Sequence, residues 1–355
     1  MRETVQLLAK TGIVSGGGFG YPFATGLIAL FVTYFLTPFV RKLAFAKGAI
    51  DDPKRDDRRI HKEPLPRWGG IAIYVGIVAA LAVVLPFAYS WGSPYPLYLI
   101  GMVGIGGLLV IAGALDDLYQ YSAKIQLVLL LAAGVGVQFF ASRFGQVQIR
   151  NIGIPLTNPP EHLALMWAAI PLTAIYIFVI TKTMDTIDGV DGLASGIATI
   201  AATTLVVIAV YTETKVAGSI RGEQPRIAII AAAVAGASLG FLRHNYNPAT
   251  IIMGTGGAYI LGFMLACLSV VGAFKTAAAI ALVIPICVFG VPLLDAFQVV
   301  IRRKLSGVPI TQPDKRHVHH ALLGKGLTQR QTVLVLYAAA LLLCGALLIV
   351  IKRYG

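Results

Sequence analysis

Charge is scarce in this chain, and acid most of all. Only 13% of its 355 residues are charged, with 16 Asp and Glu against 29 Lys and Arg. A soluble domain carries roughly a quarter charged residues, and 57% of this chain is hydrophobic. The soluble globular class is therefore excluded. Cysteine is nearly absent too: Cys267, Cys287 and Cys344 fall inside apolar runs without CxxC spacing. They read as packing residues rather than a disulfide framework or a thiolate metal site. There is no GxxxxGK[ST] loop to indicate ATP hydrolysis, and no HExxH to complete a zinc site. The first twenty residues make a poor signal peptide, because Glu3 and Lys10 interrupt a short apolar stretch. Residues 1–20 are expected to form a flexible or interfacial segment.

What is abundant is apolar length. A helix needs about 20 apolar residues to cross the hydrocarbon core. Runs of that kind occupy about 22–40, 68–89, 97–115, 125–141, 163–180, 193–211, 227–242, 256–273, 276–297 and 331–351. The expected fold is all-α: a polytopic integral membrane protein of about ten helices, built as one membrane-embedded domain over residues 1–355. Lipid admits only helices or closed barrels, and these runs lack the alternation of barrel strands.

Five polar stretches interrupt the apolar runs: 51–67, 116–124, 181–192, 243–255 and 302–330. Counting spans places all five on one side. With the juxtamembrane Arg41, Lys42 and Lys47 they hold 19 of the 29 Lys and Arg. That bias predicts cytoplasmic loops and both termini outside. It also accounts for the net charge of +13 without nucleic acid, as topology plus attraction for anionic lipid or phosphate.

Stretch one carries Lys54, Arg55, Arg58, Arg59, His61, Lys62 and Arg67. These read equally as a positive-inside anchor or as a clamp for phosphate. In stretch two, Asp116 and Asp117 follow directly on an apolar run, where a charge is costly and marks function. A divalent cation would offset their repulsion, and Mg²⁺ favours one or two carboxylates plus substrate phosphate oxygens. Stretch three repeats acid at spacing three, Asp185, Asp188 and Asp191, in DTIDGVDG. That spacing can turn three carboxylates into one cleft, and no Glu at the twelfth position supports a calcium loop. Stretch five packs His317, His319 and His320 beside Asp314, Lys315 and Arg316. Imidazoles among cations, facing an acid-rich loop, suit a pyrophosphate site.

Taken in order, these elements resemble one family. DxP…RR.H..P.PR.GG at 51–70, LDD at 115–117 with Lys124 and Gln126, DGVDGLASG at 188–196, N…PA…MG at 245–254 and PD.RHVHHALL..GLT at 313–328 are similar to the polyprenyl-phosphate N-acetylhexosamine-1-phosphate transferases. The contiguous HHH of the related phospho-MurNAc-pentapeptide translocases is here HVHH. The pattern therefore resembles the branch that starts cell-envelope glycans from UDP-GlcNAc.

The resemblance implies that undecaprenyl phosphate attacks the β-phosphorus of a UDP-sugar at the cytoplasmic face of a bacterial inner membrane, with UMP leaving. It implies Mg²⁺ or Mn²⁺ as cofactor. It also implies that Asp116 and Asp117 act as metal partners or base, with Asp188 and Asp191 near the nucleotide and Asn245 near uracil. His317, His319 and His320 would serve the pyrophosphate, with Arg316, Lys124, Arg59 and His61 as further substrate contacts. The expected partners are the UDP-sugar, the lipid and a second copy in a homodimer.

Two departures stand out. The family places an acid after MG, where this chain has Thr255, and asparagines where it has Lys182 and Asp185. The preferred reading is that metal ligation moved, with Asp117 and Asp185 holding the cation; the other is an altered enzyme. Competing classes are the MurNAc-pentapeptide transferase, a non-catalytic relative, and a transporter using Pro171, Pro285 and Pro292. A transporter, however, concentrates binding groups near the midplane, often in repeated halves.

Overall fold

The computed structural model describes residues 19–51, 63–88, 95–141, 146–154, 161–215, 224–272, 290, 301 and 318–354. Its long helices are α1 (Gly20–Lys47), α2 (Gly69–Ala88), α3 (Leu97–Tyr119), α5 (Ala169–Ile187), α6 (Leu193–Lys215), α7 (Gln224–Asn245), α8 (Gly254–Gly272) and α10 (Gln329–Tyr354). Two shorter ones are α4 (Ala123–Gly136) and α9 (Val318–Gly324). Among the described residues, eight helices are long and apolar enough to cross a membrane. The all-α polytopic class is as expected.

Nine of the ten expected spans coincide with helices, and the one at 276–297 lies outside the described residues apart from residue 290. Two of the nine differ from expectation. The run at 125–141 makes a 14-residue α4 and a short 3₁₀ turn, Val137–Phe139. At 1.5 Å per residue such a helix is only about 21 Å long, short of the hydrocarbon thickness. The run at 163–180 starts late: Glu161–Ala164 is instead a strand, β4, paired antiparallel with β3 (Asn151–Ile154). Thr173 then accepts the Ile149 N–H at 2.9 Å and anchors the hairpin to α5.

Helix α8 forms the centre. Its span is 94% buried, in contact with α2, α3, α5, α6 and α7. The outer helices instead expose large apolar side chains, such as Phe23, Phe35 and Phe39 on α1 and Leu342 on α10. In water that face would be unstable; in lipid it is the expected surface. At the first turn of α8, glycines face glycines: Gly70 against Gly257 and Gly113 against Gly256, where a Cβ would overlap the opposing backbone. Small residues let backbones approach this closely where no hydrophobic drive operates between helices.

Helix directions set which ends meet. Tyr21 donates to the Phe87 carbonyl at 3.0 Å, so the start of α1 meets the end of α2. Tyr211 donates to the Lys352 carbonyl at 3.5 Å, joining the ends of α6 and α10. The start of α1 and the end of α10 thus lie at the end of the bundle away from the acid-bearing turns.

Candidate active site

At the other end, short backbone pairings bring distant turns together. β1 (Ile50–Asp51) pairs with β2 (Leu65–Pro66). The Pro66 carbonyl then accepts the Ile252 N–H at 2.8 Å, and Gly70 N–H reaches the Met253 carbonyl at 2.9 Å. Trp68 adds a bond from its indole to the Ala114 carbonyl at 3.0 Å. Stretches one, two and four are therefore stitched into one floor. Stretch five joins through α10: Arg330 donates to the Asn247 carbonyl at 3.0 Å, and Gln329 contacts the Asn247 amide. The one-ended clustering expected of the polar stretches holds wherever the residues are described.

Asp117 has its side chain fully out of solvent. Its Oδ1 accepts the Thr255 N–H at 3.1 Å and lies 3.5 Å from Arg67 Nε. Arg67 Nε is also 3.6 Å from Asp51 Oδ1, so one guanidinium serves two carboxylates. Among the described residues, Asp117 Oδ2 has no hydrogen-bond partner. Gly254 leaves room for it: its backbone is left-handed (φ 74), and a Cβ there would overlap Oδ2.

Asp116 faces elsewhere. It accepts the Tyr121 N–H at 2.7 Å and the Gln126 amide at 3.3 and 3.2 Å. Gln126 Oε1 in turn accepts from Lys182 Nζ at 2.8 Å, and Lys182 lies 2.7 Å from Asp185 Oδ2. Asp116 and Asp185 are thus linked by one amide and one ammonium.

Asp188 is the first residue past α5 and is half-buried. Burial of its carboxyl, then the charge of Asp185, holds it well above the usual carboxylate range. Arg67 opposes this, while Asp117 and Asp191 add to it. Asp188 therefore stands within the field of three other acids and one cation.

Asp191 and Asn245 are used by the protein itself. Asp191 Oδ2 accepts from Asn247 Nδ2 at 2.9 Å and from the Ala249 N–H at 3.1 Å. Asn245, 2% exposed, accepts from Gly192 N–H and Ser195 Oγ, both at 3.1 Å, and donates to the Ile251 carbonyl at 3.1 Å. Its amide ties the DGVDG turn to the end of α7, a structural duty that the resemblance did not imply. Lys124 is exposed on the first turn of α4. His319 and His320 lie on α9. Arg59, His61, Arg316 and His317 lie outside the described residues.

Sequence reasoning passed over two participants. Arg67 was one cation among seven, and only its pairing 50 positions away singles it out. Lys182 carried a readable signal, an acid three residues on along a helix.

Among the described residues no three His, Cys, Asp or Glu form a ready metal cluster. The donors do fit a cation that takes part of its coordination from a ligand: Asp117 has a buried oxygen without a partner, and Asp188 is crowded by negative charge. Asp185, by contrast, has one oxygen committed to Lys182.

Known proteins share this framework. The family model described as glycosyl transferase family 4 matches residues 98–273. A probable undecaprenyl-phosphate N-acetylglucosaminyl 1-phosphate transferase of Bacillus subtilis is 34% identical over 312 residues, 88% of this chain and 80% of that protein. A decaprenyl-phosphate N-acetylglucosaminephosphotransferase of Mycolicibacterium smegmatis is 33% identical over 95% of this chain and 84% of its own length. The undecaprenyl-phosphate alpha-N-acetylglucosaminyl 1-phosphate transferase of Escherichia coli K12 is 28% identical over 89% and 80%. With a third of its residues shared along nearly its whole length, and with the family's acids gathered at one end of an apolar bundle, the chain belongs to the polyprenyl-phosphate N-acetylglucosaminyl 1-phosphate transferase family.

Proposed function

We propose that this membrane enzyme transfers GlcNAc-1-phosphate from UDP-GlcNAc to undecaprenyl phosphate, releasing UMP and starting a cell-envelope glycan. One observation carries the reading: Asp116, Asp117, Asp188, Arg67 and Lys182 meet at one end of a bundle whose outer surface is apolar. A lipid phosphate at the bilayer boundary and a water-borne nucleotide can meet there and nowhere along the apolar shaft. The names of the relatives favour GlcNAc over the MurNAc-pentapeptide donor. Binding groups at one end rather than at mid-depth disfavour a transporter.

The reaction forms one P–O bond, from a lipid phosphate oxygen to the β-phosphorus, and breaks the bond from that phosphorus to the bridging oxygen, which leaves on UMP. Phosphoryl transfer of this kind depends on positioning and charge neutralisation more than on covalent participation. Asp117 and Asp188 would hold the divalent cation, Mg²⁺ or Mn²⁺, which when bound supplies charge neutralisation to the pyrophosphate. Arg67 sets its positive charge 3.5 Å from the Asp117 carboxylate and, through Asp51, holds stretch one to the site. Asp116, fixed by Tyr121 and Gln126, orients the start of α4. The positive-inside bias, 19 of 29 cations on the side of the polar stretches, supports a site facing the cytoplasm of a bacterial inner membrane.

The test is transfer of radiolabelled GlcNAc-1-phosphate into lipid by purified protein in nanodiscs, with undecaprenyl phosphate and either Mg²⁺ or chelator. Label in the lipid phase with UDP-GlcNAc, and none with UDP-MurNAc-pentapeptide, is the expected result. Label only from the pentapeptide donor would replace this reading with the translocase one.

A further inference from the structure

Two donors that the reaction above leaves unused lie on the paired helices α5 and α8 near Asp185. Helices α5 and α8 run antiparallel in close contact, since a Cβ on Gly262 would meet Thr181 Cα at 2.6 Å. One turn toward the site from that contact lies Asp185 on α5 and Tyr259 on α8. Tyr259 is 1% exposed, and its hydroxyl has no hydrogen-bond partner among the described residues. It nevertheless sits in the field of Asp185, Asp116 and Asp117. A buried hydroxyl left unpaired is costly. An acceptor brought by a ligand would remove that cost.

The second donor is Lys182. Its ammonium has three N–H groups; one points to Asp185 Oδ2 at 2.7 Å and one to Gln126 Oε1 at 2.8 Å. The side chain is 37% exposed, and the ammonium has an N–H left for a ligand. Both neighbours fix it, so its position is set before any ligand arrives. A neutral O–H on α8 and a fixed cation on α5 present donors of the kind that recognise an oxyanion, in which charge-assisted bonds are the strong ones. Both offer only N–H or O–H donation at the point left open, which an acceptor oxygen satisfies and a metal cation does not.

We propose that Tyr259 and Lys182 are positioning residues that together receive a phosphate oxygen of a substrate. The inference rests on the transferase reading and deepens it. The oxygen belongs either to the nucleotide-sugar pyrophosphate or to the lipid phosphate; the two sources share one chemistry and are separated by experiment.

The experiment compares wild type, Tyr259→Phe, Lys182→Met and Lys182→Arg in nanodiscs, with kcat and KM measured separately for UDP-GlcNAc and undecaprenyl phosphate. Tyr259→Phe removes one oxygen from a packed ring and is expected to leave the unfolding temperature unchanged. It should raise the KM for one substrate by about tenfold, as expected for a hydrogen bond to a charged group. Lys182→Met should raise the KM for that same substrate, and Lys182→Arg should recover part of the loss. A KM rise for UDP-GlcNAc assigns the oxygen to the pyrophosphate, and one for the lipid assigns it to the acceptor.

Kinetic constants within twofold of wild type in Tyr259→Phe would overturn the proposal. So would opposite substrates affected by the two residues, or a fall in unfolding temperature with no change in KM. A wild type that makes no lipid-linked sugar refutes the transferase reading instead. Titration with inorganic pyrophosphate then decides: weaker binding by Tyr259→Phe and Lys182→Met upholds the subsite, and equal binding overturns it.

Discussion

Lys182 Nζ stands 2.7 Å from Asp185 Oδ2, three residues apart on the last turns of α5. The resemblance implies asparagines at these two positions, and here an ion pair of zero net charge stands in their place. The pair cannot be altered one member at a time without consequence. Lys182→Asn should leave Asp185 to repel Asp188, Asp117 and Asp116, and Asp185→Asn should leave an ammonium with one partner fewer. The double change to asparagines should recover stability beyond the sum of the singles. Coupling of about 0.5–3 kcal/mol is typical of residues in one network. Unfolding temperatures of the four proteins in one detergent measure it, and strict additivity would mean that the pair is not a unit.

Asp117 makes the sharpest catalytic prediction. Its Oδ2 is buried and without a partner, while Oδ1 is held by Thr255 and Arg67. Asp117→Asn keeps the shape and removes the charge. Turnover should fall by about 10²-fold or more, the scale of losing one electrostatic group from a site of this kind. Equilibrium binding of UDP-GlcNAc should change far less. Activity within twofold of wild type would take Asp117 out of the mechanism.

Gly254 and Gly104 form a matched pair of alanine substitutions. At Gly254 the backbone is left-handed and a Cβ would overlap Asp117 Oδ2. Gly254→Ala should therefore cost roughly 1–3 kcal/mol of backbone strain and displace the carboxylate. At Gly104, in the middle of α3, a Cβ meets nothing within 4 Å. Gly104→Ala should be neutral or stabilising by about 0.5–1 kcal/mol. Half-lives at elevated temperature, with transfer assays on the same samples, check both.

Asp188 sets a dependence on pH that a cation should erase. Its folded-state carboxyl is held above the usual range, mainly by burial and then by Asp185. Such a group binds protons more readily folded than unfolded. Stability in chelator should therefore fall as pH rises above about 4, the unfolded carboxyl range, and level off once the folded group has ionised. Asp188→Asn should flatten that decline, and Mg²⁺ or Mn²⁺ should oppose it by favouring the ionised form. Thermal unfolding scans from pH 4.5 to 8, with and without the ion, measure the slope. A decline unaffected by Asp188→Asn would place its origin elsewhere.

The acids of the last turn of α3 and of the DGVDG turn were legible because they interrupt apolar runs, and interruption is a local property of sequence. So were the lipid-length helices and the common end of the polar stretches, which follow from counting crossings. Two features failed the same count. Leu163 and Ala164 open the apolar run expected to be helical, yet the EHLA segment pairs with NIGI 10 positions earlier as a strand. The run after Lys124 is apolar over 17 residues but helical to span only in part, because Val137–Phe139 tightens into a 3₁₀ turn. Hydropathy does not distinguish these backbones, and only the available hydrogen-bond partners do.

By itself, then, the sequence determined which segments enter lipid, which end collects charge, and the family of reaction that the motifs imply. Only the tertiary structure decided how the polar atoms are divided. It gave Asn245 and Asp191 to the protein's own turns, joined Asp185 to Lys182, placed Arg67 between Asp51 and Asp117, and left Asp117 Oδ2 and the Tyr259 hydroxyl without partners. Transfer into lipid depends on each segment's own composition and length. A hydrogen bond depends on a few ångströms between residues that stand tens to hundreds of positions apart, and that distance exists only once the helices have packed.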